Sequence, residues 1–132
     1  MKITVHFDGG SRGNPGPAAA AAVAYDSDGE ELTDRVALVG SVTNNVAEYR
    51  ALLLAISLAI DLEADAVEFV GDSQLIVRQI TGEYKVKNAD LKPLHAEAKE
   101  ALAKIAKWSI TDVRRESNER ADELLNEALD SV

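Results

Sequence analysis

Cysteine is absent from this 132-residue sequence, so disulfides and thiolate metal sites are excluded. No secretory leader is visible either: Met1–Lys2 runs into ITVHFD, not a long apolar stretch. Long apolar runs are scarce. The longest, roughly Ala51–Ile60, is too short to span a bilayer. A soluble, cytoplasmic chain with no membrane partner is the expectation. Positive charge is also in deficit, with a formal net charge of −9. Such a balance argues against a nucleic-acid partner, whose phosphates attract cations. The deficit is uneven, however. Residues 78–120 hold 10 Lys/Arg against 7 Asp/Glu, whereas residues 1–77 hold 4 against 12. A locally basic stretch therefore remains, although solvated helix faces account for many single lysines.

What is present begins with four acids in four separate segments. They are Asp8 in FDGGSRGNPG, Glu48 in TNNVAEYRALLLAI, Asp72 in VEFVGDSQLIV and Asp122 in RRESNERADELLNEAL. Three of them adjoin strongly apolar stretches, where an uncompensated carboxylate is expensive. Carboxylates converging from distant segments commonly share a cation, and oxygen ligands favour a hard one such as Mg²⁺. That combination suits metal-assisted phosphoryl chemistry. A helix cap or surface charge explains each acid alone, and Asp72 before Ser73 most easily. It explains the four together less well.

The length suits a single domain, 1–132. Ile3, Val5 and Phe7 alternate with Thr4, His6 and Asp8, which predicts a strand over 2–8. GGSRGNPGP reads as a turn-rich loop. Residues 18–40 read as a hairpin around Ser-Asp-Gly, against the helical preference of the alanine run. Thr43 or Asn44 can cap a helix to about Leu62. AVEFVG is a short buried strand, and Ser73 caps a helix over about 73–81. GEYKVKNAD is a linker. Asp90 can cap a helix with Pro93 in its first turn, ending near Lys107. WSITDVRR is the last strand, and Asn118 opens the last helix with Ala121, Leu124, Leu125, Ala128 and Leu129 on one stripe. Strands mixed with helices predict an α/β fold, a mixed sheet covered by helices. If the strands ending near Asp8 and Asp72 are parallel neighbours, their carboxylates lie side by side and repel unless a cation bridges them.

The strings DGGSRGNPG, TNNVAEYRAL, GDSQLI and NERADEL, in this order, resemble ribonuclease H, type 1. The resemblance spans residue 7 to about 128. It implies a five-stranded mixed sheet, three antiparallel strands followed by two parallel to the first, flanked by about four helices. It implies hydrolysis of the RNA strand of RNA–DNA hybrids to 5′-phosphate and 3′-OH ends. Mg²⁺ or Mn²⁺ is the implied cofactor, two ions per site with substrate bound. Asp8, Glu48, Asp72 and Asp122 fall on the family's metal-binding acids.

The neighbouring motif residues fit that setting. Gly9, Gly10, Gly13 and Gly16 allow close backbone approach, or form a plain tight turn. With Ser11 they belong to the first motif. Asn14, Asn45 and Gln74 carry amides able to bond base edges and 2′-OH groups, with capping and turn roles as the competing explanation. Thr43 and Asn44 fall where the family grips a DNA-strand phosphate beside a helix N-terminus; an N-cap is the other role open to Thr43. Asn118 lies in the fourth motif and counts among the substrate contacts. Tyr84, Lys85 and Lys87 combine an aromatic with two cations, which suits sugar or base stacking plus phosphate neutralisation. By resemblance they line the groove for the DNA strand.

Two departures from the family pattern stand out. The lysine-rich insertion of many members is replaced by GEYKVKNAD. The histidine that often precedes the final helix is missing from RRESN, and Arg115 is the expected substitute. An arginine there acts electrostatically, not as a base. Strand alternation would point Arg114 to the opposite face. Competing readings are a nuclease that also cuts RNA–RNA duplexes, a metal-free hybrid-binding module, and an aspartyl-phosphate phosphatase. The module gains nothing from clustered carboxylates near phosphate. The phosphatase wants an acid where Gly10 stands. A monomer is the expected working unit.

Overall fold

A computed structural model describes all 132 residues. The chain runs β1 (Lys2–Ser11), β2 (Gly16–Tyr25), β3 (Glu31–Val42), α1 (Asn44–Asp61), β4 (Ala66–Gly71), α2 (Gln74–Thr81), α3 (Lys92–Leu102), β5 (Lys107–Asp112) and α4 (Glu119–Asp130). A single 3-10 turn, Arg115–Ser117, precedes α4. The five strands form one sheet in the order β3-β2-β1-β4-β5. β1 pairs antiparallel with β2, and β2 with β3; β4 and β5 run parallel to β1. This is the expected mixed sheet. No helix is long and apolar enough to cross a membrane.

The alanine run becomes a strand because of where it lies. β2 is enclosed on both faces, so its two alternating sets of side chains each meet a helix layer. Ala20, Ala22 and Ala24 join the larger core with α1. Ala19, Ala21 and Val23 join the smaller core with Leu124, Leu125 and Leu129 of α4. Small side chains let both helices approach, and this packing overrides helical propensity.

Four boundaries are shifted from the expected ones. β1 continues through Gly9, Gly10 and Ser11, which pair with Ala20, Ala19 and Ala18, so the turn shrinks to residues 12–15. α3 stops at Leu102, not near Lys107, because Lys107 is taken up by strand pairing beside Ala66 and Ile105 is drawn into the core. Its N-cap is Leu91, not Asp90; the Asn88 carbonyl accepts the N–H groups of Leu91 and Lys92. β5 ends at Asp112, so Arg114 and Arg115 lie beyond the strand.

Candidate active site

Parallel pairing of β1 and β4 ends with His6 opposite Val70, so Asp8, just past the part of β1 paired with β4, and Asp72, just past β4, continue the same register side by side. Glu48 arrives from the first turns of α1. Its approach depends on Gly9: a Cβ there would overlap the carbonyl group of Ala47. The helix backbone thus lies directly on β1. Capping fixes the local chain ends. Thr43 Oγ1 accepts from Val46 N, and Ser73 Oγ accepts from Ile76 N, each at 3.3 Å.

Carboxylate oxygens of Asp8, Glu48 and Asp72 lie within 4.8 Å of one another. Asp8 and Glu48 are each 4% exposed. Gly9 N donates to Glu48 Oε1 at 3.2 Å, while Glu48 Oε2 is buried with no hydrogen-bond partner. Asp122, one turn into α4, lines the same cleft and adds its charge to the burden on Asp8. Burial, then the charges of Asp72 and Glu48, push the Asp8 carboxyl up to about 9. Burial and Asp72 push Glu48 up to about 8 against the opposing Gly9 N–H. Asp72 is also raised by burial, with Arg115 and the Asn118 amide acting in the other direction. Four acids with few donors therefore share a cleft of about 290 Å³, and two of them resist ionisation without a cation.

Gly9, Gly10, Ser11, Asn44 and Arg115 line the same cleft. Asn44 and Ser11 are stapled together, Ser11 N donating to Asn44 Oδ1 at 3.3 Å. Asn14 Oδ1 accepts from Asn44 N at 2.9 Å, so its carbonyl serves the start of α1. Asn45 and Gln74 are exposed at the first turns of α1 and α2, outside the cleft lining. Tyr84 and Lys85 sit apart, in a second hollow with Lys92, His95 and Lys99. The Tyr84 ring lies 5.6 Å from the Arg78 guanidinium, and Lys87 is exposed outside that hollow.

Two expectations change. Asn118 is 1% exposed and its side chain is committed to neighbours, which leaves no face for substrate; it stands behind the acids. Arg115 does face the acids, but not by strand alternation, because it opens the 3-10 turn. Arg114 points outward at 88% exposure beside Glu116. Sequence reasoning missed Arg12, Ser73 and Asn126 as cleft residues. Asn126 had a readable signal, since it lies one helical turn after Asp122. The contact of His6 Nδ1 with Asn118 Oδ1 at 3.0 Å gave none, because it joins positions 112 apart.

Comparison with known proteins agrees with this geometry. Residues 6–128 match the family model described as "Reverse transcriptase-like". The chain is 46% identical over 131 residues to Ribonuclease HI of Halobacterium salinarum, covering 99% of this chain and 66% of that protein. It spans 36% of the length of three mycobacterial relatives. Against Ribonuclease H of Chromobacterium violaceum the identity is 30%, covering 99% of this chain and 97% of that protein. The crystal structure of the Halobacterium enzyme superposes with a TM-score of 0.97, at 45% identity and full coverage of both chains. LC11-RNase H1, crystallised in complex with an RNA/DNA hybrid, gives 0.92 at 41% identity, covering 98% and 97% of the two chains. In sequence and in fold, the chain belongs to the type 1 ribonuclease H family.

Proposed function

We propose that this chain is an endonuclease that hydrolyses the RNA strand of RNA–DNA hybrids, leaving 5′-phosphate and 3′-OH ends. Asp8, Glu48, Asp72 and Asp122 would hold two Mg²⁺ ions, with Mn²⁺ as the alternative. The observation that carries this reading is the Glu48 Oε2 atom, buried without a partner and facing two further carboxylates. A buried polar atom without a partner is costly, and an all-oxygen donor set is what a hard divalent cation takes. The residues present therefore fit the metal. When bound, such ions supply an activated water and neutralise charge on the leaving oxygen.

The chain's own residues do the rest. The Gly9 N–H holds one oxygen of Glu48 and leaves the other free to ligate. Gly9 and Gly10 line the cleft with main chain that a sugar–phosphate backbone can approach, while their missing side chains make room for α1 and for Leu125. Ser11, Asn14, Asn45 and Gln74 offer polar atoms at or near the cleft for 2′-OH groups, the chemical difference between RNA and DNA. Thr43 and Asn44, at the start of α1, suit a phosphate. Tyr84, Lys85 and Lys87 extend the track for the DNA strand. Arg115 offsets charge on the cleaved phosphate and cannot take up a proton. One copy of the chain holds all four acids, so a monomer suffices. The hybrid complex of LC11-RNase H1 supports the substrate class.

The test is a panel of end-labelled RNA–DNA, RNA–RNA and DNA–DNA duplexes, each with Mg²⁺ or EDTA. Only the RNA strand of the hybrid should be cut, and only with Mg²⁺. Comparable cutting of RNA–RNA would widen the substrate class. Cleavage that survives EDTA would contradict the metal assignment.

A further inference from the structure

We propose that His6 is a positioning residue for the acidic centre, acting through Asn118. The inference rests on the reading of the acids as a cation site.

The Phe7 carbonyl can only accept, and it lies 2.9 Å from Asn118 Nδ2. That contact fixes the amide orientation: nitrogen toward Phe7, oxygen away. The same amide also bears on Asp72, holding its carboxyl down against burial. Asn118 Oδ1 then faces His6 Nδ1 at 3.0 Å. An amide oxygen cannot donate, so the proton on this bond must sit on His6 Nδ1. With that donor in place both the oxygen and the nitrogen of a 1% exposed asparagine amide have a partner. Without it, Oδ1 is stranded in the interior and the Phe7 bond alone opposes rotation of the amide.

What Asn118 holds makes the orientation matter. Its amide holds the carbonyl of the Phe7–Asp8 peptide. Its backbone carbonyl accepts the Asp122 N–H at 3.2 Å, and its own N–H donates to the Arg115 carbonyl at 2.9 Å. One residue thus joins the segments carrying Asp8, Asp122 and Arg115. His6 is itself braced by the Tyr25 ring, edge-on at 5.3 Å between centroids. It does not line the cleft. Partners one step behind a metal's ligands commonly govern ligand orientation, and losing one changes metal affinity or activity roughly ten- to a hundredfold.

The experiment compares wild type, His6→Phe and His6→Asn. Phenylalanine keeps the ring against Tyr25 and removes the donor. Asparagine places an amide nitrogen about where Nδ1 stands. Mn²⁺ binding is measured by calorimetry without substrate, and the Asn118 side-chain amide signal is followed by NMR. For H6F the account expects a Mn²⁺ dissociation constant raised about tenfold, a kcat on hybrid lowered by a similar factor, an unchanged KM and a displaced Asn118 signal. H6N should recover most of the loss. If H6F fails to fold, His6→Gln replaces it, because its amide nitrogen falls where Nε2 stands and cannot reach Asn118. Unchanged Mn²⁺ binding and kcat in H6F, even with a lower melting temperature, would overturn the proposal. So would an H6N variant no better than H6F. A wild-type chain that binds Mn²⁺ yet cuts no hybrid would refute the functional reading, while the Mn²⁺ titrations would still judge His6.

Discussion

Asp8 and Glu48 are charged residues placed where charge is poorly tolerated, and that has a measurable consequence without any substrate. Their ordinary values are 3.8 and 4.5; in the folded, metal-free chain they rise to about 9 and about 8. Between the two sets of values the folded state binds more protons than the unfolded one. Stability from these groups is therefore greatest at low pH and falls as pH rises toward 8–9. Urea melts in EDTA at about pH 5, 7 and 9 should show wild type losing stability relative to Asp8→Asn across this range. A wild type that gains on the variant as pH rises would contradict the burial argument. Mg²⁺ should reverse the sign, stabilising wild type and leaving the variant nearly unaffected.

Arg115 bears on the same acids. Its guanidinium faces Glu48 and Asp72, whereas Arg114 is an exposed tip beside Glu116. Arg115→Ala should lower kcat several-fold with little change in KM or melting temperature. Arg115→Lys should recover part of the loss, since lysine lacks the planar fork that grips phosphate. Arg114→Ala should be silent. Steady-state kinetics on a hybrid decide it, and damage confined to Arg114→Ala would show the 3-10 turn to be misplaced.

At the scale of elements, the close approach of α1 to β1 determines whether the acids meet. Gly9→Ala would drive a methyl group into the Ala47 carbonyl, and backbone cannot yield as a side chain can. A loss of about 2–4 kcal/mol is expected, from forced displacement of the helix that carries Glu48. A chemical-denaturation curve measures it, and a loss below about 0.5 kcal/mol would refute the close-approach account. Most elements were legible in the sequence. The β1 alternation, the Thr43 and Ser73 caps and the α4 stripe are local signals, and each is where the sequence places it. What was not legible depends on partners distant in the chain. The end of α3 is decided by Lys107 joining β4. The extension of β1 is decided by Ala18–Ala20. The buried fate of Asn118 is decided by Phe7 and His6. The four acids were readable because burying charge is costly wherever it occurs. The pairing of Asp8 with Asp72 followed from parallel strands, but the unpartnered Glu48 Oε2 needed coordinates.

For the whole molecule, a net charge of −9 must be reconciled with a polyanionic substrate. Charge is segregated along the fold: the four acids gather at one cleft, where cations would neutralise them, and lysines gather around the hollow beside Tyr84. Hybrid affinity should therefore fall with salt, with a slope set by a few lysines. Replacing Lys85 and Lys87 together by Ala should reduce the slope of log K against log salt by about 1 for each phosphate no longer neutralised, without moving the cut. Fluorescence anisotropy over a salt series measures this, and an unchanged slope would remove this segment from the substrate track.

The claim on which everything else depends is that the acidic cleft is a divalent-cation site that cuts RNA opposite DNA. The most direct measurement is single-turnover cleavage of an end-labelled hybrid by wild type and Asp72→Asn across a Mg²⁺ titration, with hybrid binding followed in parallel. Asp72 is the most accessible of the three clustered acids, and the substitution changes one oxygen ligand to an amide without changing shape. The account predicts saturable Mg²⁺-dependent cleavage for wild type, none at any Mg²⁺ concentration for the variant, and similar hybrid binding by both. Wild-type-like cleavage by Asp72→Asn would contradict it.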